Sequence, residues 1–390
     1  MAHVPSDDYH PPSDFGLKKP GLIEKLQNRF RDWRNRKVMD PAFQAFATGF
    51  PLTRPIVRKR QKALFDLTAG FVYSQVLFSA VRLGVFDCLR DGALSEAALY
   101  RRIGLSNDAG RRLIAAAASL DLLSVKGDEV RLADLGAALL ANPGVVAMIE
   151  HHAMLYRDLA DPIGLLKGER DTELSEFWGY ATAERPDALK RDRVDDYSAL
   201  MAISQKMISA EVIAAYPFAG HKRLLDVGGG EGAFVSAVAD AVPKLELSVF
   251  DLPSVAERAR EKMAEAGHGN RFTAFPGSFF DDELPAGADL ISLVRVLYDH
   301  SDERVLQILQ RVRRVLPEGG TLLIAEPMAG VSGAEAMGDA YFGFYLMAMK
   351  SGQARTFAEI GALLKTAGFR QFRVLKTRSP MLTSALITNG

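Results

Sequence analysis

From Arg223 onward, apolar residues come in short unbroken runs that alternate with stretches whose apolar positions recur every third or fourth residue. The runs read as buried strands and the periodic stretches as amphipathic helices. "RLLDV" is strand, "AFVSAVADAVP" helix, "ELSVFDL" strand, "SVAERAREKMAEAG" helix, "RFTAFPGSFF" and "DLISLVRVL" strands, "DERVLQILQRVRRVLP" helix and "GTLLIAEP" strand. Such alternation predicts an α/β fold, a parallel sheet with right-handed crossovers and helices on both faces. The last two runs, "FRVLKT" and "SALITN", are joined by only six residues. That is too short for a crossover, so the sheet is expected to close with an antiparallel hairpin.

Upstream the pattern is helical. Residues Gln61 to Arg90 are apolar nearly all round, and so much apolar surface on one helix calls for a second partner, either another helix or another copy of the chain, so a dimer is expected. In the next stretch Ser95 caps a helix ending near Ile103, and Ser106-Asn107-Asp108 caps another running to about Leu120. The runs around "LLSVKG" and "EVRLAD" then read as a hairpin. Helix, turn, helix and hairpin make a winged-helix shape. Its second helix offers only Arg111 and Arg112 before turning to Ala and Leu, too little for base readout, so a structural or dimerising role is expected and no nucleic-acid partner. From Val145 to Tyr216 the text is again helical. His151 and His152 are neighbours there, about 100° apart on a helix, and cannot chelate one metal together. They read as core or surface histidines, with the alternative that one faces a substrate pocket; no metal is expected.

Four segments follow: a tail with a basic amphipathic stretch (1–60), the winged-helix-like dimerisation domain (61–145), a helical connector lining a substrate pocket (146–216) and the α/β domain (217–390). At 390 residues, 48% hydrophobic and 25% charged, the chain has the composition of a globular protein of two or more domains. One cysteine, Cys88, rules out an intramolecular disulfide. No unbroken apolar run reaches the ~18 residues of a spanning helix and the first residues lack signal-peptide order, so a cytoplasmic location is expected. Net charge is zero, yet thirteen Lys/Arg against three acids lie between Lys18 and Lys62. Within that segment Leu22, Leu26, Phe30 and Trp33 keep helical spacing, with Lys25, Arg29, Arg34 and Arg36 largely off the stripe. Such a helix packs its stripe on protein or lies on an anionic membrane surface, a peripheral contact. Residues 1 to about 20 lack periodicity and are expected to be disordered.

The strand "RLLDV" runs straight into "GGGEG". Gly228, Gly230 and Ala233 satisfy the dinucleotide fingerprint, with Asp251 where an acid would bind a ribose. Asp226, two residues before Gly228, changes that reading. A carboxylate at the mouth of the site repels a pyrophosphate and attracts a cation, which favours S-adenosylmethionine, with its ammonium, sulfonium and ribose diol, over NAD.

"LLDVGGGEGAF", "SVFDLPSV", "RVLYDHSDERVLQIL" and "LLIAEPM", in this order after a winged-helix-like segment, resemble the small-molecule O-methyltransferases of the caffeate and hydroxyindole type. The resemblance implies a Rossmann-like S-adenosylmethionine-binding sheet behind a dimerisation domain, and a homodimer. It places Asp226, Gly228 and Gly230 around the methionine moiety, Asp251 on the ribose and Leu252 beside the adenine. The adenine-side pair becomes Ser278 and Phe279, and Arg295 matches the bacterial members. "FPLTRPIVRKRQKALFDLTAGFVYSQVL" and "RVLYDHSDE" further resemble members that methylate the tertiary hydroxyl of acyclic carotenoids. Rival readings are C-methylation of a bacteriochlorophyll precursor or O-methylation of another small molecule.

The catalytic positions depart from the family. Its base histidine in "LHDW" is here Tyr298, the histidine nearby is His300, and an acid in "GKERT" is replaced by Ala354. Glu326 matches an acid that orients the base, and Asp299 is expected to fix the loop. A phenol near pKa 10 yields its proton to a histidine, but a tertiary alcohol is ionised by no side chain, so placement dominates. In-line displacement is expected, with the proton passing to His300 or through Tyr298. Met337, Tyr341, Phe342, Phe344, Tyr345, Met347 and Met349 share one helix, a core face or an adaptable wall for a long polyene.

Overall fold

The computed structural model describes residues 21–178 and 205–390, in two units, one ending at Gln75 and one beginning at Val76. The first holds α1 (Leu22–Met39), α2 (Pro41–Gly49) and the start of α3 (Arg54–Arg82). Asp40 separates α1 from α2, its carboxylate accepting the Ala42 N–H at 2.9 Å as an N-cap. On α1, Leu26, Phe30 and Trp33 are all exposed. The boundary drawn at residue 60 falls inside α3, which starts before Gln61 and ends at Arg82 because Gly84, at φ 67°, breaks it. By length and composition α3 holds an 18-residue window apolar enough to cross a membrane, contrary to a count of unbroken runs alone, while its first turns carry Arg54, Arg58, Lys59, Arg60 and Lys62. Its last turns belong to the core of the second unit, where Val76, Leu77, Phe78, Ala80 and Val81 pack. Leu64, Leu67 and Phe71 remain exposed.

The winged-helix-like part forms as the caps predict: the Ser95 hydroxyl accepts the Ala98 N–H and the Ser106 hydroxyl the Ala109 N–H. Its helices are Glu96–Arg102 and Asn107–Ser119. The hairpin of β2 (Leu123–Lys126) and β3 (Glu129–Leu132) gains a third strand, β1 (Leu94–Ser95), too short to be read from periodicity. Helices Pro143–Asp158, Pro162–Leu166 and Glu173–Phe177 follow. Parts of the helical connector, 179–204, and the tail expected to be disordered lie outside the described residues.

The α/β part is a seven-stranded sheet of β4 (Arg223–Val227), β5 (Glu246–Asp251), β6 (Phe272–Pro276), β7 (Leu290–Val294), β8 (Thr321–Glu326), β9 (Phe372–Leu375) and β10 (Ser384–Asn389). Its order is β6-β5-β4-β7-β8-β10-β9, parallel except for β10, which runs antiparallel to both β8 and β9. The chain leaves β4 toward β5 and β6 on one side and returns to β7 and β8 on the other, so a crevice opens at the carboxyl ends of β4 and β7. Helices sandwich the sheet between two apolar clusters, one around Ile291, Ile308 and Leu322, the other around Leu224, Phe234 and Leu247.

Candidate active site

The loop after β4 turns at Gly228, Gly230 and Gly232 with φ of 70°, 57° and 82°, a left-handed backbone that glycine adopts cheaply. Asp251, at the end of β5, gathers this loop: its carboxylate accepts the Gly230 and Leu252 N–H groups, each at 2.8 Å. A Cβ on Gly228 would stand 2.9 Å from Val296 and 3.5 Å from Phe279, whereas the space around Gly230 is open. Glycine loop, Asp251, Leu252 and Phe279 therefore form one cradle. The Ser278 hydroxyl, beside Phe279, accepts the Phe280 N–H at 3.2 Å and shapes the turn.

The sequence places Asp226 at the mouth of the crevice; the structure puts it beneath the loop, 1% exposed. It is the penultimate residue of β4, paired laterally with Val249 and Ser292, and the glycines fold back over it. Its Oδ1 accepts the Ser292 hydroxyl at 2.5 Å. Burial pushes its carboxyl up to about 7, opposed by Ser292 and reinforced by Asp251, which burial pushes up to about 6. Both acids thus gain by ionising when a cation arrives. An open glycine cradle over two such acids fits a sulfonium- and ammonium-bearing nucleoside.

Arg295 leaves β7 at φ 59°, its N–H donating to the Ala325 carbonyl at 2.9 Å and its guanidinium to the Tyr298 hydroxyl at 3.3 Å. The next turn is clamped from both sides. Glu326 Oε1 accepts the N–H groups of Val296, Leu297 and Tyr298, and Arg355 donates to the carbonyls of Leu297 at 2.9 Å and His300 at 2.6 Å. Glu326 therefore holds backbone, where the resemblance implies an acid that orients a base, because three amides of one turn converge on it. Asp299 is buried, its Oδ1 has no hydrogen-bond partner among the described residues, and burial pushes it up to about 8, with Arg295 opposing. Arg355, beside the departing Ala354, was not singled out by the sequence; its signal is an arginine inside an otherwise apolar and polar-neutral stretch, "GQARTF".

Tyr298 and His300 enter different surroundings. Tyr298 lies in the cluster of Leu155, Trp178, Tyr345 and Met349, edge-on to Phe342 at 6.2 Å, and burial pushes its hydroxyl well above the usual phenol range. His300 sits edge-on to Phe279 at 5.6 Å and Phe280 at 5.2 Å, on the cofactor-cradle side. Its Nδ1 is unbonded among the described residues, and burial, then Arg304 and Arg355, holds it down to about 4. The two expected proton carriers are not brought together.

The structure adds two pairs instead. On helix Pro143–Asp158, His151 Nε2 meets the Tyr345 hydroxyl and His152 Nε2 the Tyr341 hydroxyl, each at 2.7 Å. The tyrosines belong to the wall expected from the sequence, and Tyr341 lies on a π-helical stretch, Ala336–Phe342, that leads into helix Gly343–Met349. π-Helical turns recur at functional sites.

The chain is similar to known proteins along most of its length. An O-methyltransferase domain matches residues 156–370 and an O-methyltransferase dimerisation domain residues 65–142. Demethylspheroidene O-methyltransferase of Cereibacter sphaeroides is 44% identical over 88% of this chain and 91% of its own length, and that of Rhodobacter capsulatus 42% identical over 86% and 84%. Among solved structures, human N-acetylserotonin methyltransferase in complex with S-adenosylmethionine superposes with a TM-score of 0.70 at 25% identity, covering 85% of this chain and 97% of that one. The dimerisation match supports a homodimer. A cradle suited to S-adenosylmethionine, the sheet that carries it and matches over most of the length lead to one conclusion: the chain belongs to the O-methyltransferase family and uses S-adenosylmethionine as methyl donor.

Proposed function

We propose that the protein methylates the tertiary hydroxyl of acyclic hydroxycarotenoids, as a step of carotenoid biosynthesis. The observation that carries this reading is the similarity to two demethylspheroidene O-methyltransferases along most of the chain. The site's composition supports it: Tyr298 stands where the family's base histidine is expected, and Phe342, Phe344, Tyr345 and Met347 offer aromatic and thioether surface beside it. Bound S-adenosylmethionine would supply an electrophilic methyl group on a cationic sulfur. Asp226, Gly228, Gly230, Asp251, Leu252 and Phe279 would hold it, and the clamped turn would set the hydroxyl in line with the methyl. Placement of that kind supplies roughly 7–11 kcal/mol of barrier reduction. Of the two expected proton carriers, Tyr298 faces the aromatic wall and His300 the cofactor cradle.

A long polyene resides in membrane, and the exposed Leu26, Phe30 and Trp33 on α1, next to Lys25, Arg29, Arg34 and Arg36, suit a peripheral contact with an anionic cytoplasmic surface. Flotation with anionic liposomes tests that contact: the wild type is expected to float, and a variant with Leu26, Phe30 and Trp33 changed to glutamine to remain in the load. Equal flotation removes it. The substrate is tested by incubating the enzyme with methyl-labelled S-adenosylmethionine and a panel of hydroxycarotenoids, catechols and chlorophyllides. Label is expected in the hydroxycarotenoids; label confined to either other class overturns the proposal.

A further inference from the structure

Two adjacent histidines make matching bonds to two tyrosines, but only one bond is closed off. His151 Nε2 and Tyr345 are joined at 2.7 Å, and the same Tyr345 oxygen accepts the Trp178 indole N–H at 2.9 Å. All three residues are under 9% exposed. With one hydrogen bond shared with His151 and a lone pair taken by Trp178, that phenol is committed to holding the wall together. The His152–Tyr341 pair is only half-buried. Among the described residues, His152 is the hydrogen-bond partner of the Tyr341 hydroxyl, which keeps lone pairs for a further donor.

Position gives this open pair its meaning. Tyr341 is edge-on to Phe342 at 5.0 Å, Phe342 is edge-on to Tyr298 at 6.2 Å, and the charge of Arg295 reaches both tyrosines. The pair therefore borders the catalytic turn from the side that carries Tyr298, away from the Phe279–Phe280 pocket that encloses His300. We infer that Tyr341 receives the substrate hydroxyl and that His152 takes the proton through it. The inference rests on the proposed alcohol substrate and names the residues that recognise it.

The step balances. A lone pair of the hydroxyl oxygen forms the new O–CH₃ bond as the CH₃–S bond breaks and its electrons stay on sulfur. The oxygen's proton passes to Tyr341 Oη while the proton of Tyr341 passes to His152 Nε2. An ether, a thioether and an imidazolium result, and the single positive charge has moved from sulfur to His152. Burial holds His152 down to about 4, so its imidazole is neutral and ready to accept at neutral pH. The alkylated oxygen is far more acidic than that, and transfer runs downhill.

The experiment uses the full chain in three forms: wild type, Tyr341→Phe and His152→Gln. Turnover is read by methyl label. Binding is read separately by quenching of intrinsic tryptophan fluorescence with a hydroxycarotenoid and with its hydrocarbon parent, and S-adenosylhomocysteine affinity is read by calorimetry. Tyr341→Phe is expected to lose turnover on the order of 10²-fold and to lose the several-fold binding preference for the hydroxylated polyene. His152→Gln, which can still hydrogen-bond Tyr341 but cannot take a proton, is expected to lose turnover while keeping that preference. Both are expected to bind S-adenosylhomocysteine as the wild type does. A wild type that methylates hydroxycarotenoids beside a Tyr341→Phe enzyme within about threefold of it overturns this inference alone. A wild type inactive on every hydroxycarotenoid overturns the proposed function. Variants that lose S-adenosylhomocysteine affinity together with turnover assign both residues to architecture and overturn the inference as well.

Discussion

Replacing Arg355 with alanine removes the donor side of the clamp on the catalytic turn. The guanidinium is 2% exposed and bonds the carbonyls of Leu297 and His300, both on buried residues. A buried acceptor left without a partner costs about 1–3 kcal/mol, so the two together cost about 2–6 kcal/mol. The bond to Asp302 is a different matter: that carboxylate is 54% exposed, and such pairs contribute about 0–1 kcal/mol. Arg355→Ala should therefore destabilise the protein by about 4 kcal/mol, and Asp302→Asn by less than about 1 kcal/mol. Urea unfolding followed by far-UV circular dichroism, with all three proteins at one pH, measures both. A pH series adds a sign. Burial pushes Glu326 up to about 7 even though Arg355 pulls it down. A carboxyl with a raised folded pKa stabilises the fold below its unfolded pKa and loses that contribution as pH rises through the folded value. Removing Arg355 raises the folded value further, so the deficit of Arg355→Ala should widen between about pH 6 and 8.5. Equal losses in Arg355→Ala and Asp302→Asn, or a deficit that shrinks with rising pH, would refute the clamp.

Three further outcomes are expected. Gly229→Ala places a Cβ 2.6 Å from Asp226 Oδ2, a buried atom whose carboxylate is held by Ser292. Overpacking of this kind costs roughly 1–3 kcal/mol, and calorimetry should find S-adenosylhomocysteine affinity reduced about tenfold or more, against no change if the carboxylate can step aside. Affinity for S-adenosylmethionine should rise with pH between about 5.5 and 7.5, with protons released on binding, because Asp226 and Asp251 hold protons in the free protein that a cation displaces. Titration in buffers of different ionisation enthalpy reads the release, and a flat profile contradicts it. Phe71→Glu puts a charge on the exposed ridge of α3, where Phe71 is 72% exposed. Sedimentation should then report a monomer, and an intact dimer would move the interface elsewhere.

Legibility in the sequence followed the distance over which each feature is encoded. The strand-helix alternation, the serine caps at Ser95 and Ser106, and the closing hairpin are written within a dozen residues of themselves, and all stand in the structure. The cradle was legible for the same reason: three positive-φ glycines follow β4 directly, and Asp251 ends the next strand. Roles that depend on burial were harder to read. Asp226 is the same residue at a mouth or beneath a loop, and only the pairing of β4 between β5 and β7 sends it inward. Glu326 and Arg355 stand 29 residues apart and share one turn's backbone that neither announces.

The sequence by itself determined the sheet, the glycine cradle at its crevice and the family, because periodicity and glycine placement act locally and survive any packing. Tertiary structure alone decided which side chains face the reaction. His152 and Tyr341 are 189 residues apart and meet only when helix Pro143–Asp158 packs on the π-helical turn, while His300, two residues beyond Tyr298, is turned into a phenylalanine pocket. Proton affinity and reach are properties of those surroundings, set by desolvation and by neighbours distant in the chain.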